Sequence, residues 1–216
     1  MNRLAAALYD RAMANLEAAG LAQWRRELLA GLSGRVLEVG AGTGRNLELY
    51  PPEVAELVLA EPDRHMRARL EARAAAGGRT TPARAAGGRA LQVIDAAAEA
   101  LPFPDGHFDA VVSTLVLCSV QQPRRAALEM RRVLGPGGRL VVIEHVSAEP
   151  GSGRARWQAA VEPVWKRVAG NCHLTRDTAS TLREAGFQTA ELRAHDMPQA
   201  PSVVRPTIRG QLGMTG

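Results

Sequence analysis

The segment Arg35-Val36-Leu37-Glu38-Val39-Gly40-Ala41-Gly42-Thr43-Gly44-Arg45-Asn46 constrains this chain more than any other. A short apolar run stops at a turn with glycine at positions 40, 42 and 44, and a helix opens beyond it. Glycine lets the backbone turn tightly and approach a ligand that a Cβ would push away. The helix start adds free N–H groups and the positive end of its dipole. The segment therefore reads as a nucleotide-cofactor loop. A loop that cradles a diphosphate has the form G-x-G-x-x-G, and here the sixth position is Arg45, so that form is not met.

The chain has 216 residues, 46% hydrophobic and 23% charged, enough for one globular domain with a sizeable core and too few for two. Its net charge of +5 would suit nucleic acid, but the basic residues are scattered arginines, with Lys166 the only lysine, and aromatics are only 4%. That is too few for base-stacking platforms, so the charge reads as solvated surface and no nucleic-acid partner is expected. Cys118 and Cys172 form no CxxC pair and have no second cluster beside them, so no metal site is expected and a reducing, cytoplasmic setting fits. No run of about 18 apolar residues occurs, and no charged stretch leads into a long apolar core at the N-terminus. Neither a membrane span nor a signal peptide is expected.

Residues 3 to 31 carry Leu4, Leu8, Met13 and Leu16, then Leu21, Trp24, Leu28 and Leu29, at helical spacing, punctuated by Gly20 and Gly31. They form either two helices packed on the sheet edge or a lid that brings Tyr9 and Asp10 over the ligand. Membrane-surface attachment fits less well, because Arg3, Arg11 and Glu17 make no clean basic face. After the glycine turn, Glu56-Leu57-Val58-Leu59-Ala60-Glu61 is a second strand ending in a carboxylate about twenty residues past the first glycine. A carboxylate there can accept both hydroxyls of an adenosyl ribose; Asp63 competes with it, or starts the helix that runs to about residue 76. Residues 77–88, with paired glycines at both ends, read as a surface loop, and Arg79, Arg84 and Arg89 make it a possible clamp for an acidic substrate.

Ala90-Leu91-Gln92-Val93-Ile94-Asp95 is a third strand ending in an acid, and the small residues after it let a flat ring lie on the backbone. Residues 108–113 give a fourth strand, apolar enough to be buried on both faces. Residues 113–120 follow it at the ligand edge as a pocket floor. A helix from Arg124 to Val133 is closed by the turn Leu134-Gly135-Pro136-Gly137-Gly138, and a fifth strand runs from Arg139 to Val146. A helix from Arg154 to Val168, with Trp157, Val161, Val164 and Trp165 on one side, stands where the basic fold needs only a short connection. A last helix from about Thr175 to Ala185 and two strands, Phe187 to about Arg193 and from about Val203, complete the chain. Strands alternating with helices imply a doubly wound, mostly parallel seven-stranded sheet with N-terminal helices and a helical insertion after the fifth strand.

The form E-x-G-x-G-x-G ending in Gly44, and the string D-A-x-A-E-x-L-P-F-x-D-x-x-F-D from Asp95 to Asp109, resemble class I S-adenosylmethionine (SAM) methyltransferases. T-L-V-L-C-S-V (114–120), R-V-L-G-P-G-G (132–138), E-H-V (144–146), W-x-x-x-A-G-N-C-H-L-T-R-D-T (165–178) and L-R-E-A-G-F (182–187) are similar to the methyltransferase-like protein 7 group, the thiol S-methyltransferases. The resemblance runs from about Tyr9 to the end. It implies a Rossmann-like fold in one domain, with a lid over 1–31 and a substrate cover over 150–174. SAM is the implied cofactor, S-adenosylhomocysteine its product, and a small molecule, most simply a thiol, the acceptor. Animal members carry an apolar N-terminal anchor that this sequence lacks, so a soluble cytoplasmic enzyme is expected.

Carried over by residue, the resemblance implies cofactor contacts at Tyr9, Glu38, Gly40, Ala41, Gly42, Asn46, Glu61, Asp95, Ala96, Thr114 and Leu115. Asp95 would take the adenine amino group and the Ala96 N–H a ring nitrogen. For catalysis the candidates are His145, His173 and Arg176. His145 could take the thiol proton or merely cap a strand end, and Arg176 could hold a thiolate or brace a carboxylate. Cys118 reads as a small floor residue, since direct transfer needs no covalent intermediate. The core motifs do not encode the acceptor, so an oxygen or nitrogen acceptor (a phenol, a quinone precursor, a phospholipid head group) and a non-catalytic SAM-binding protein stay open beside the thiol.

Overall fold

The computed structural model describes residues 10, 11, 13–77 and 90–215. Tyr9, most of the 77–88 loop and its Arg79, Arg84 and Arg89 lie outside them. Seven strands form one sheet: β1 (Gly34–Val39), β2 (Val54–Ala60), β3 (Ala90–Ile94), β4 (Phe108–Thr114), β5 (Leu134–His145), β6 (Arg193–Asp196) and β7 (Pro206–Leu212). Their order is β3-β2-β1-β4-β5-β7-β6. The first five pair in parallel, and β7 runs antiparallel to both β5 and β6. Chain order reverses direction between β1 and β4, which opens a crevice at the carboxyl ends of those strands where ligands of such sheets bind.

Side-chain alternation along the strands sorts the core into two layers. Leu37, Val39, Val111, Leu140 and Val142 face one layer, with Ala126, Met130 and Leu182 of the helices α3 (Pro123–Val133) and α5 (Thr178–Glu184). Val36, Leu57, Leu59, Val112 and Val141 face the other, with Leu29 of α1 (Ala22–Leu29) and Leu70 and Ala74 of α2 (Arg64–Ala76). The apolar run of β4 is indeed covered on both faces, as parallel strands require. Gly20 breaks the N-terminal helical region at φ 142°, and Met13 and Leu21 pack with Ile143 at the end of β5. Asp63 caps α2, accepting from the N–H groups of His65 (2.9 Å) and Met66 (3.0 Å). It serves as helix start rather than as a rival to Glu61.

Several expected boundaries move, and in place of the helix expected after the glycine turn the chain makes only a 3-10 turn, Leu47–Leu49, before β2. Residues 134–138 belong to β5, which begins at Leu134 beside Phe108, with a register shift between Phe108 and Ala110 in the facing strand. The last helix is the shorter span Thr178–Glu184, because Asp177 caps it through the Ser180 N–H at 2.9 Å. From Phe187 the chain makes only an isolated bridge to Met214 and a 3-10 turn (Thr189–Glu191) before β6, and a second such turn (Ser202–Val204) precedes β7. The helix α4 (Gly153–Val168) is present, but its apolar side is only partly packed, with Val161 and Trp165 half-buried. Trp157, Val164 and Val168 are exposed, and its one buried side chain is Gln158. That amide holds the helix in place, accepting from the Ala148 N–H and donating to the carbonyls of Val146 and Val203. No helix among the described residues is long and apolar enough to cross a membrane.

Candidate active site

The glycine turn begins where β1 ends. Gly40, Gly42 and Gly44 have φ of 58°, 58° and 82°, the left-handed region that only glycine enters freely. At Gly40 a Cβ would stand 2.7 Å from Val116 Cγ2, so that glycine is required by the loop after β4. At Gly42 a Cβ would meet, among the described residues, only the Gly40 carbonyl at 3.9 Å, so the backbone there borders space that these residues leave open.

Beneath the turn lies a polar network. Glu38 is buried and accepts from Tyr50 Oη at 2.7 Å and Asn46 Nδ2 at 2.9 Å. Arg25, from α1, is only 4% exposed and donates to Asn46 Oδ1 (2.9 Å) and Thr114 Oγ1 (2.8 Å), with Glu17 completing its fork at 3.1 Å. Glu38, Asn46 and Thr114, separate in sequence, are thus brought together, with their side chains spent on one another and on Arg25. The backbone at Leu115 takes φ 60° and donates to the Ile143 carbonyl at 2.7 Å. Asp10 ties the N-terminal helical region to this turn, accepting from Thr43 Oγ1 at 2.6 Å and pairing with Arg45 at 3.0 Å.

Burial pushes the Glu38 carboxyl up to about 7, against the Tyr50 hydrogen bond and the charge of Arg25. A carboxyl whose pKa is raised in the folded state binds more protons there than when unfolded. Stability therefore falls as pH rises from the ordinary carboxylate value toward 7. The loss from this group should be on the order of 3 kcal/mol. In urea unfolding at a series of pH values, Glu38→Gln should flatten that slope between about pH 5 and 7; an unchanged slope would refute it.

Glu61, at the tip of β2, is 6% exposed; its Oε2 accepts the Gly42 N–H at 2.8 Å and its Oε1 the Asp63 N–H at 2.9 Å. Each oxygen keeps lone-pair capacity for a further donor. Asp95 follows β3, with its side chain 66% exposed and paired to Arg67 at 2.8 Å. Ala41 and Ala96 are small and buried beside these groups.

On the other side of the crevice, Glu144 is fully buried and organises the turn after β4. It accepts from Ser113 Oγ and from the N–H groups of Val116, Leu117 and Cys118, at 2.9 to 3.3 Å. Burial raises its pKa despite the Leu117 and Val116 hydrogen bonds. Beside it, His145 Nε2 meets Cys172 Sγ at 2.6 Å, and Trp165 Nε1 donates to the same sulfur at 3.4 Å. Cys118 completes the group, whose three ligand-type atoms lie within 4.8 Å of one another. Cys118 keeps the proton of the pair and is raised by its contact with Cys172, burial and the Glu144 charge; Cys172, bonded by Cys118 and His145, is lowered to about 4. His145 Nδ1 is buried with no hydrogen-bond partner among the described residues. His173 is turned to Glu162 (3.1 Å), and Arg176 donates to the Leu117 carbonyl. A separate open depression of about 310 Å³, lined by Ser147, Arg154, His195 and Asp196 among others, shares none of these residues.

The sequence reading missed Arg25 and the grouping of Cys118 with Cys172. Arg25 looks like one more surface arginine, and the cysteines are far apart in the chain. The only available signal was that Cys118, His145 and Cys172 each fall inside one of the strings that carry the family resemblance.

The strand order, the glycine turn with open space beside Gly42, and acidic residues after β2 and β3 define a class I SAM-dependent methyltransferase. Residues 37–142 match the methyltransferase domain family. Human thiol S-methyltransferase TMT1B is 38% identical over 189 residues, 85% of this chain and 72% of its own; human TMT1A is 35% identical over 202 residues, 88% and 78%. A SAM-dependent methyltransferase structure from Thermotoga maritima shares the fold at TM-score 0.65 and 23% identity, over 96% of this chain and 95% of that one. The chain belongs to the family of the thiol S-methyltransferases TMT1A and TMT1B, and SAM is its methyl donor.

Proposed function

We propose that the acceptor is a small thiol, methylated on sulfur. The observation that carries this reading is spatial. The strings 114–120, 144–146 and 165–178, which resemble the thiol methyltransferases, converge on Cys118, His145 and Cys172 at the carboxyl ends of β4 and β5, across the crevice from the glycine turn. In this reading Glu61 holds the ribose hydroxyls, and Asp95 with the Ala96 N–H holds the adenine. Gly40, Ala41 and Gly42 border the amino acid part, with Thr114 and Leu115 beside it. Glu38 and Asn46 act as positioning residues beneath the turn. The described N-terminal residues 10, 11 and 13–31 cover the turn, docked through Asp10 and Arg25, and 150–174, held by Gln158 and by His173 and Thr175 on Glu162, cover the acceptor. Arg176 supplies positive charge on that side.

SAM bound in the crevice supplies an electrophilic methyl group on a sulfonium. A thiolate and a sulfonium neutralise one another as the methyl moves, so a dry, apolar surround favours the transition state, and positioning supplies much of the acceleration. The purified chain, given SAM and a panel of thiols, phenols and amines, should release S-adenosylhomocysteine with thiols. Turnover of the phenols or amines alone would overturn the reading. Glu61→Ala should weaken cofactor binding by calorimetry roughly ten- to a hundredfold, the worth of charge-assisted hydrogen bonds. An unchanged affinity would remove Glu61 from the ribose site.

A further inference from the structure

Cys118 stands in the turn after β4, His145 is the last residue of β5, and Cys172 follows α4; all three are buried, at 2%, 4% and 9% exposure. Their backbones are fixed independently of the cluster. The Glu144 carboxylate holds the Cys118 N–H at 3.3 Å, pairing with Thr207 in β7 holds His145, and the His173 N–H donates to the Cys118 carbonyl at 2.8 Å. Two sulfurs and an imidazole nitrogen are therefore presented to one point, all within 4.8 Å of one another. Tetrahedral zinc, with bonds of about 2.3 Å to sulfur and 2.0 Å to nitrogen, needs donors roughly 3.5 to 3.8 Å apart. The cluster brackets that range, and the 2.6 Å His145–Cys172 contact would open by roughly 1 Å. The set has no carboxylate or carbonyl oxygen, so it suits a thiophilic ion and not magnesium or calcium. His145 offers Nε2, the nitrogen already beside Cys172 Sγ, and no hydrogen bond among the described residues holds Nδ1 against the small shift that the metal needs.

We propose that Cys118, His145 and Cys172 bind one zinc ion and that its fourth position takes the sulfur of the acceptor thiol, an inference that rests on the thiol reading above. An apolar pocket by itself raises a thiol pKa and so works against forming the nucleophile. Coordination removes that obstacle, since a thiol bound to zinc is deprotonated. The acceptor R–SH binds through sulfur and its proton leaves to solvent. A sulfur lone pair then forms the new S–CH3 bond as the bond from that carbon to the sulfonium breaks, its electron pair neutralising the sulfonium. The uncharged thioether is a poorer zinc ligand than the thiolate and is released.

The full chain, reduced and stripped with a chelator, is titrated with cobalt(II) as a spectroscopic stand-in and then with zinc. One equivalent of cobalt should give thiolate-to-cobalt charge-transfer absorption and tetrahedral visible bands, both bleached by zinc. Mercaptoethanol should shift those bands by entering the fourth position. Cys118→Ser and Cys172→Ser should each weaken cobalt binding at least about tenfold, with S-adenosylhomocysteine affinity retained as the check on folding. The proposal is overturned by wild-type protein that shows no charge-transfer band, by a band that survives in the double variant, or by a spectrum indifferent to mercaptoethanol. Thiol turnover by metal-free protein that zinc does not raise would overturn it while leaving thiol methylation standing. Zinc at the site with turnover of phenols or amines alone would overturn the thiol reading and the fourth-ligand role together.

Discussion

Glu144→Ala should destabilise the protein by about 3 to 5 kcal/mol, read as a fall in the urea midpoint at unchanged m. The side chain is the common acceptor for the hydroxyl of Ser113 and for three successive backbone N–H groups, those of Val116, Leu117 and Cys118. Removing it leaves buried donors unsatisfied, at about 1 to 3 kcal/mol each when water cannot reach them. Burial of the carboxyl is itself unfavourable, which is why its pKa is raised, so the loss is smaller than the sum over donors. Glu144→Gln keeps the volume and one carbonyl oxygen and should cost less than half as much. The turn it holds includes Val116, which sets the clearance at Gly40, and Cys118. Cofactor affinity of the alanine variant should therefore fall even under conditions where it is folded. Wild-type stability in Glu144→Ala would mean that solvent replaces the carboxylate at that turn.

What could be read from residue order was whatever depends on local chemistry. The apolar runs of β1, β2 and β4, the glycines with positive φ and the acids after β2 and β3 are local signals, and each falls where expected. Boundaries failed where a neighbouring strand decides them: Leu134 is strand because it faces Phe108. The face of α4 was legible only in part, because periodicity cannot tell a packed stripe from an exposed one: Val161 and Trp165 are half-buried while Trp157 and Val164 are exposed, and the one fully buried residue is an amide that finds three backbone partners. In the site, Glu61 and Asp95 were visible because an acid that directly follows an apolar strand is a local signal. Arg25 and Cys172 were not, because what makes them special is the company of Asn46, Thr114, Cys118 and His145 across long stretches of chain.

Arg25 supports the second large effect. It is a buried cation from α1 that reaches across the top of the sheet to Asn46 on one side and Thr114 on the other. Its charge also acts on Glu38, whose carboxylate it favours. Arg25→Met keeps most of the volume but removes every donor, leaving Glu17, Asn46 and Thr114 without that partner. Breaking one member of such a buried set costs about 3 to 5 kcal/mol. The pH dependence should change with it. Without the nearby cation the Glu38 pKa rises further, so the decline of stability with pH that ends near 7 in the native chain should continue to higher pH. Since Glu38→Gln removes the group on which that charge acts, the two substitutions should not add. A double-mutant cycle at pH 8 should give a coupling of about 0.5 to 3 kcal/mol. Strict additivity at that pH would show that Arg25 holds Asn46 and Thr114 in place by hydrogen bonding alone, with no electrostatic link to Glu38.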